Sequence, residues 1–136
     1  MTLFLFQKKI FFQARKTSEW SSSDWYDIYD IVDINEGEGF DKYYGRFSAP
    51  RFGTYEFTFS AVTGNVSSTT VRVTTSGSLH HYIVDRNDAG TGNNIHSSWL
   101  MKLSMREIVH VDVYEGTLYA TSNTPVIFTG NLLELD

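Results

Sequence analysis

Between Gly53 and Ala61 the chain reads Gly-Thr-Tyr-Glu-Phe-Thr-Phe-Ser-Ala, a strict alternation of aromatic or small residues with polar ones. Successive side chains of a strand face opposite sides of its sheet. Tyr55, Phe57, Phe59 and Ala61 therefore share one face, and Thr54, Glu56, Thr58 and Ser60 the other. Gly53 follows Ser-Ala-Pro-Arg-Phe and is expected to serve a sharp turn into the sheet. The strand closes a longer spaced pattern, Asn35-x4-Phe40-x6-Phe47-x5-Gly53-x-Tyr55-x-Phe57-x-Phe59. Core packing accounts for each ring alone, and the spacing of all of them together carries the information.

No window of the chain sustains a 3.6-residue apolar period. Short strand-like runs recur instead, closed by Gly, Asn, Asp, Ser or Pro. The expected strands are Lys9 to Arg15, Tyr26 to Ile34, Asp41 to Phe47, Gly53 to Thr63, Thr69 to Thr75, Leu79 to Val84, Trp99 to Leu103, Ile108 to Tyr114, Thr117 to Ala120 and Val126 to Leu135. Asp85 to Asn94 is expected to be a loop. Aromatic residues make up 15% of the chain, alongside many Ser and Thr, which favours pleated, half-buried surfaces. Ten closely spaced strands without intervening helices predict an all-β antiparallel sandwich or barrel in one domain.

At 136 residues the chain can bury roughly two-thirds of its unfolded surface, so it needs no disulfides to hold a core. It has no cysteine, which excludes a disulfide framework, a thiolate metal site and a cysteine nucleophile. A net charge of −5 argues against nucleic acid as the main partner, and no apolar run is long enough for a membrane span. Residues 1–9 read as an extension or a remnant outside the domain. Lys8 and Lys9 follow the apolar run Leu3 to Phe6, the reverse of a secretory signal, so a leader was removed or never present.

The strand Ile108 to Tyr114 sends Val109, Val111 and Val113 to one face. Its other face, with Ile108, His110, Asp112 and Tyr114, is too apolar for a plain solvated surface, which predicts burial by another subunit.

The pattern from Asn35 to Phe59 resembles the globular head domain of complement C1q, which shares a jelly-roll fold with the tumour necrosis factor ligands. Phe12-Gln13-Ala14-Arg15 is similar to that family's opening strand, Gly45 to Pro50 to its approach to the aromatic strand, and Phe128 to Leu133 to its closing strand. The resemblance runs from about Ile10 to Leu133 and implies a C1q-like domain over residues 10–136. Tyr29 stands where the family usually has phenylalanine. Arg106-Glu107 replaces a Gly-Asp-like turn, so the hairpin from Leu103 to Ile108 is expected to differ in shape. The chain carries no collagen-like segment, as in stalkless relatives of invertebrate type.

The resemblance implies a ten-strand jelly-roll sandwich that assembles as a homotrimer, is secreted and is not an enzyme. Its expected function is lectin-like pattern recognition of microbial or cell-surface glycans in innate immunity. The alternative is a cytokine-like or synaptic-organiser ligand that binds a protein receptor. Calcium is the candidate cofactor, because some relatives hold an ion with an aspartate near the place of Asp85. Asp85, Asp88 and Asn93 are the candidate ligands, although the spacing is not that of an EF-hand.

Tyr82, Arg86, Asn87 and Asn94, with Trp99 nearby, gather the aromatic, guanidinium and amide groups that sugar binding needs. Asn65-Val66-Ser67 is a glycosylation sequon at Asn65. The acidic series Asp24, Asp27, Asp30 and Asp33 reads as solvent-facing charge on an irregular edge. His80 and His81, adjacent in a strand, are expected to face opposite ways and so not to share a metal ion. No serine elbow, zincin helix or phosphate loop is present.

Overall fold

The computed structural model describes residues 9–24, 27–64, 68–86 and 92–135, and every regular element among them is a strand. In chain order these are β1 (Phe11–Lys16), β2 (Trp20–Ser21), β3 (Ile31–Glu36), β4 (Phe40–Asp41), β5 (Arg46–Ser48), β6 (Gly53–Thr63), β7 (Thr69–Thr75), β8 (Ser78–Asp85), β9 (Asn94–Leu103), β10 (Ile108–Glu115), β11 (Thr117–Tyr119) and β12 (Val126–Leu135). A seven-stranded sheet runs β2-β11-β6-β12-β1-β3, with β9 on the free side of β6. A five-stranded sheet runs β4-β5-β10-β7-β8. All pairings are antiparallel, and the two sheets stack as the expected jelly-roll sandwich.

The differences from the expected strands have local causes. Asp41 to Phe47 divides into β4 and β5, because Asp41 Oδ1 accepts from the Tyr43 N–H and turns the chain there. β9 begins five residues earlier than expected, since β6 pairs with it along its whole length, from Gly53↔Leu103 to Val62↔Asn94. β3 begins at Ile31 rather than Tyr26, which lies outside the described residues. Before it, Asp27 and Asp30 spend their carboxylates on other segments of the chain.

The alternation in β6 is obeyed at every position: Tyr55, Phe57 and Phe59 are fully buried and their polar neighbours half-exposed. Phe12 of β1 stacks on Phe40 and Phe47, with ring centroids 4.6 and 5.2 Å away, and meets Phe128 edge-on at 5.1 Å. Each such pair adds about 0.5–1.5 kcal/mol beyond the area it buries. Asn35 earns its place in the spaced pattern by imitating a strand. Its side-chain amide donates to the Phe40 carbonyl at 2.9 Å and accepts from the Phe40 N–H at 3.1 Å, closing the β3–β4 turn.

Gly53 is required for space rather than for a turn. A Cβ there would lie 2.5 Å from the Glu134 carbonyl oxygen and 2.7 Å from Leu132 Cδ1, where β6 meets the bulge of β12. At Arg106 the opposite holds. This residue takes φ +71°, the left-handed conformation that a glycine adopts easily. Two backbone bonds secure it there: the Arg106 N–H donates to the Ala49 carbonyl at 2.7 Å, and the Ala49 N–H to the Glu107 carbonyl at 2.9 Å. The arginine is therefore accommodated by tertiary bonding to the segment before β6.

The acidic series is not simply solvated. Asp24 accepts from the Ser21 N–H, Asp27 from the Trp20 indole N–H, Asp30 from the N–H and hydroxyl of Thr17, and Asp33 from Gln13 and both ends of the Arg15 guanidinium. Four carboxylates with four different sets of partners fasten an irregular edge to β1 and β2. Among the described residues no three His, Cys, Asp or Glu side chains converge as a metal site would need.

Candidate ligand-binding site

Strand alternation places Tyr82 and Val84 of β8 on the outer face of the five-stranded sheet, level with Arg72 of β7 and with Asp112 and Tyr114 of β10, and Arg86 is exposed just past the end of β8. Here Arg72 clamps Asp112 with both arms of its guanidinium, Nε to Oδ1 at 3.0 Å and Nη2 to Oδ2 at 2.7 Å. The Arg72 guanidinium carbon also lies 4.9 Å from the centre of the Tyr114 ring, which in turn is 5.7 Å from that of Tyr82. The bond to Asp112 raises the Arg72 pKa further, so its charge is permanent. Tyr82 and Tyr114 remain about half exposed. Two ring faces, a fixed guanidinium and a carboxylate thus share one open patch.

This patch gives the mixed outer face of β10 its partners inside the chain. Asp112 is paired with Arg72, Tyr114 lies against Arg72 and Tyr82, and His110 Nε2 sits 2.7 Å from Asp27 Oδ2. Neither Arg72 nor its pairing was singled out from the sequence. The signal was present, since Arg72 alternates outward between Val71 and Val73 and falls opposite Asp112 once β7 and β10 are in register.

The other sequence candidates fall elsewhere. Asp85 ends β8 on the inner side, where its Oδ2 accepts from the buried Thr63 hydroxyl of β6 at 2.9 Å and its two oxygens from the Asn93 amide at 3.3 and 3.4 Å. These bonds tie the two sheets together at one end of the sandwich. Asn94 alternates outward from the seven-stranded sheet, on the opposite face from Tyr82. Trp99 is buried, its ring stacked on Phe57 at 5.8 Å, and offers no face to a sugar. Asn65, Asn87 and Asp88 lie outside the described residues. Tyr82 thus lies on the outer face, Asp85 and Asn93 share hydrogen bonds, and Asn94 joins neither.

The oxygen and amide groups at Asp85 are of the hard type that calcium prefers, but the ion takes six to eight oxygens. Among the described residues no three His, Cys, Asp or Glu side chains gather at this end, and Asn93 turns its NH2 rather than its carbonyl toward Asp85.

His80 and His81 correct the expectation that facing opposite ways keeps their rings from meeting. A bulge between Val73 and Thr74 of β7 pairs Val73 with His81 and Thr74 with Leu79, leaving His80 without a counterpart. The extra residue breaks the alternation and brings the two Nδ1 atoms within 2.6 Å.

The family model of the C1q domain matches residues 10–133. The chain belongs to the C1q domain family. No curated protein matches it in sequence. Among solved structures, the globular domain of zebrafish complement 1qA is similar at a TM-score of 0.77 and 14% identity, covering 94% of this chain and 100% of that one. Murine APRIL follows at 0.68 and 12%, covering 92% and 100%. The Eiger TNF of S. frugiperda stands at 0.69 and 8%, covering 95% and 96%. At such identities the C1q domain shares a fold with these proteins, and its ligand has to be argued from its own surface.

Proposed function

We propose that this C1q domain is a secreted, non-enzymatic recognition module that assembles as a homotrimer and binds microbial or cell-surface glycans in innate immunity. The observation that carries the glycan reading is the patch of Tyr82, Tyr114, Arg72 and Asp112. Exposed tyrosine rings offer flat apolar faces to the C–H side of a sugar ring. The Arg72 N–H groups not spent on Asp112, together with the Asp112 lone pairs, suit the hydroxyls around its rim. Because Asp112 holds the guanidinium in place, little side-chain freedom is lost on binding.

The trimer reading rests on family membership and on the outer face of the seven-stranded sheet. Ile34, Leu100, Tyr119 and Leu133 are exposed there, set among hydroxyls such as those of Thr58 and Thr129, which meet across β6 and β12. Apolar groups exposed on a face that also carries Glu56, Lys102 and the Arg15–Asp33 pair suit burial against other copies of the chain, with opposite charges free to pair across the contact. Three copies joined in this way would carry three outward patches, and weak sites on a rigid body gain avidity without new contacts. Calcium is proposed as the ion of the Asp85 end, with Asp85, a reoriented Asn93 and Asp88 as ligands.

The test is a glycan and bacterial-surface array, probed in calcium and again in a chelator, with the wild type and with Tyr82→Ala combined with Tyr114→Ala. The expected result is wild-type hits that the double variant loses. Hits that survive the double variant would remove the patch from the account, and loss in chelator alone would move the site to the Asp85 end. Silence of the wild type under both conditions would overturn the glycan reading in favour of a protein receptor.

A further inference from the structure

The edge strands β8 and β9 lie on the same side of the sandwich, and between them His81 points inward while His80 sits at the surface on the bulge. The His81 ring is held from two directions. Its Nε2 is 3.3 Å from the Ser97 hydroxyl, and its plane meets the Trp99 ring edge-on with centroids 4.9 Å apart. The Ser97 hydroxyl can donate to this nitrogen or accept from it, so both neutral tautomers of His81 suit the contact. In the tautomer that donates Nε2–H to Ser97 Oγ, the Nδ1 lone pair of His81 faces Nδ1 of His80. The two rings stand at 74° to one another, with their Nδ1 atoms converging on one point.

We propose that His80 and His81 form a two-imidazole binding site for a divalent transition metal ion at the open edge between β8 and β9. Imidazole nitrogens bind such ions at about 2.0–2.1 Å, which places two adjacent ligand nitrogens roughly 3 Å apart. The observed separation of 2.6 Å therefore has to open by only a few tenths of an ångström. Without metal, a 2.6 Å contact between two neutral imidazoles needs one Nδ1 to carry the proton and the other to accept it; His80 as the donor matches the His81 tautomer above. When the ion binds, the His80 proton moves to its own Nε2 and both lone pairs turn to the metal. A hydroxyl that fixes a ligating histidine through its second nitrogen is the outer-shell arrangement that metal sites use to orient their ligands.

Two protein ligands leave the remaining positions to water, because no third His, Cys, Asp or Glu joins the pair among the described residues. Affinity should follow the usual order for nitrogen sites, with Cu2+ tightest and Ni2+ and Zn2+ weaker. His81 neighbours Tyr82 on β8 but faces the other side of the sheet, and the metal site does not depend on the glycan reading.

The experiment titrates Cu2+ alone into the purified chain by calorimetry and reads the nitrogen ligands by electron paramagnetic resonance. The wild type should bind one more ion per chain than His80→Ala, with the signature of two imidazole nitrogens in that additional site. His80 is exposed, so its removal leaves the fold intact, and a circular dichroism melt checks this. His96→Ala, on the outward side of β9, should bind as the wild type does. Equal stoichiometry and affinity in the wild type and His80→Ala would overturn the proposal, as would a wild type that binds no Cu2+ at all.

Discussion

Tyr29 shows what one atom can do in a packed core. Its ring is fully buried, edge-on to Trp20 at 5.8 Å and to Phe40 at 5.5 Å, and its hydroxyl has no hydrogen-bond partner among the described residues. Burial, then the nearby Asp27 charge, pushes its pKa well up, so the group stays a neutral phenol. A buried unpaired hydroxyl costs about 1–3 kcal/mol. Tyr29→Phe keeps the ring and removes the orphan, so urea denaturation should show a gain of roughly 1–2 kcal/mol. An unchanged or lower midpoint would mean that the hydroxyl finds a partner. The sequence marked Tyr29 as a departure from the family's phenylalanine, and its ring as one the fold would keep. Its cost was not legible, because it depends on which groups surround the hydroxyl once the sheets close. Asn35 is a similar case: its spacing was visible, but its imitation of a strand needed the β3–β4 turn to be seen.

At the scale of elements, strand alternation was legible where the register runs unbroken, as along β6 against β9. It failed at β8, where one unpaired residue on a bulge brought two histidines together that alternation had separated. Bulges are set by the pairing of two strands, and neither strand alone records them. The β8–β9 edge carries a pH dependence as a result. Burial, and secondarily His80, holds the His81 pKa below its usual imidazole value. The unfolded chain binds that proton more readily than the folded one, so stability is full above about pH 6.5 and falls as pH drops below it. Denaturation at pH 7.5, 6.0 and 5.0 should show the wild type losing more stability than His81→Gln over that range. Parallel losses would place the acid sensitivity elsewhere.

For the whole molecule, the all-β class was legible from recurring short strands, and the jelly-roll arrangement from the aromatic pattern and the family resemblance it carries. The candidate site was legible only in part. Tyr82 lies on an exposed face, whereas Asp85 and Asn93 close the end of the sandwich and Asn94 points from the opposite sheet. Sequence proximity around one loop concealed the fact that its two flanking strands belong to different sheets. The same separation gives the molecule two unlike outer faces. One bears the Arg72–Asp112 clamp beneath exposed tyrosines, and the other bears Leu100, Leu133, Tyr119 and Ile34 among short hydroxyls. The account assigns the first to ligand and the second to self-association. Light scattering on the eluting protein, for the wild type and for Leu100→Asp, tests that division most directly. The account predicts a wild-type mass three times the 15.5 kDa of the chain, and a Leu100→Asp variant that is folded and shifted to the single-chain mass. A wild type that stays at the single-chain mass at every concentration, or a variant that remains trimeric, would contradict it.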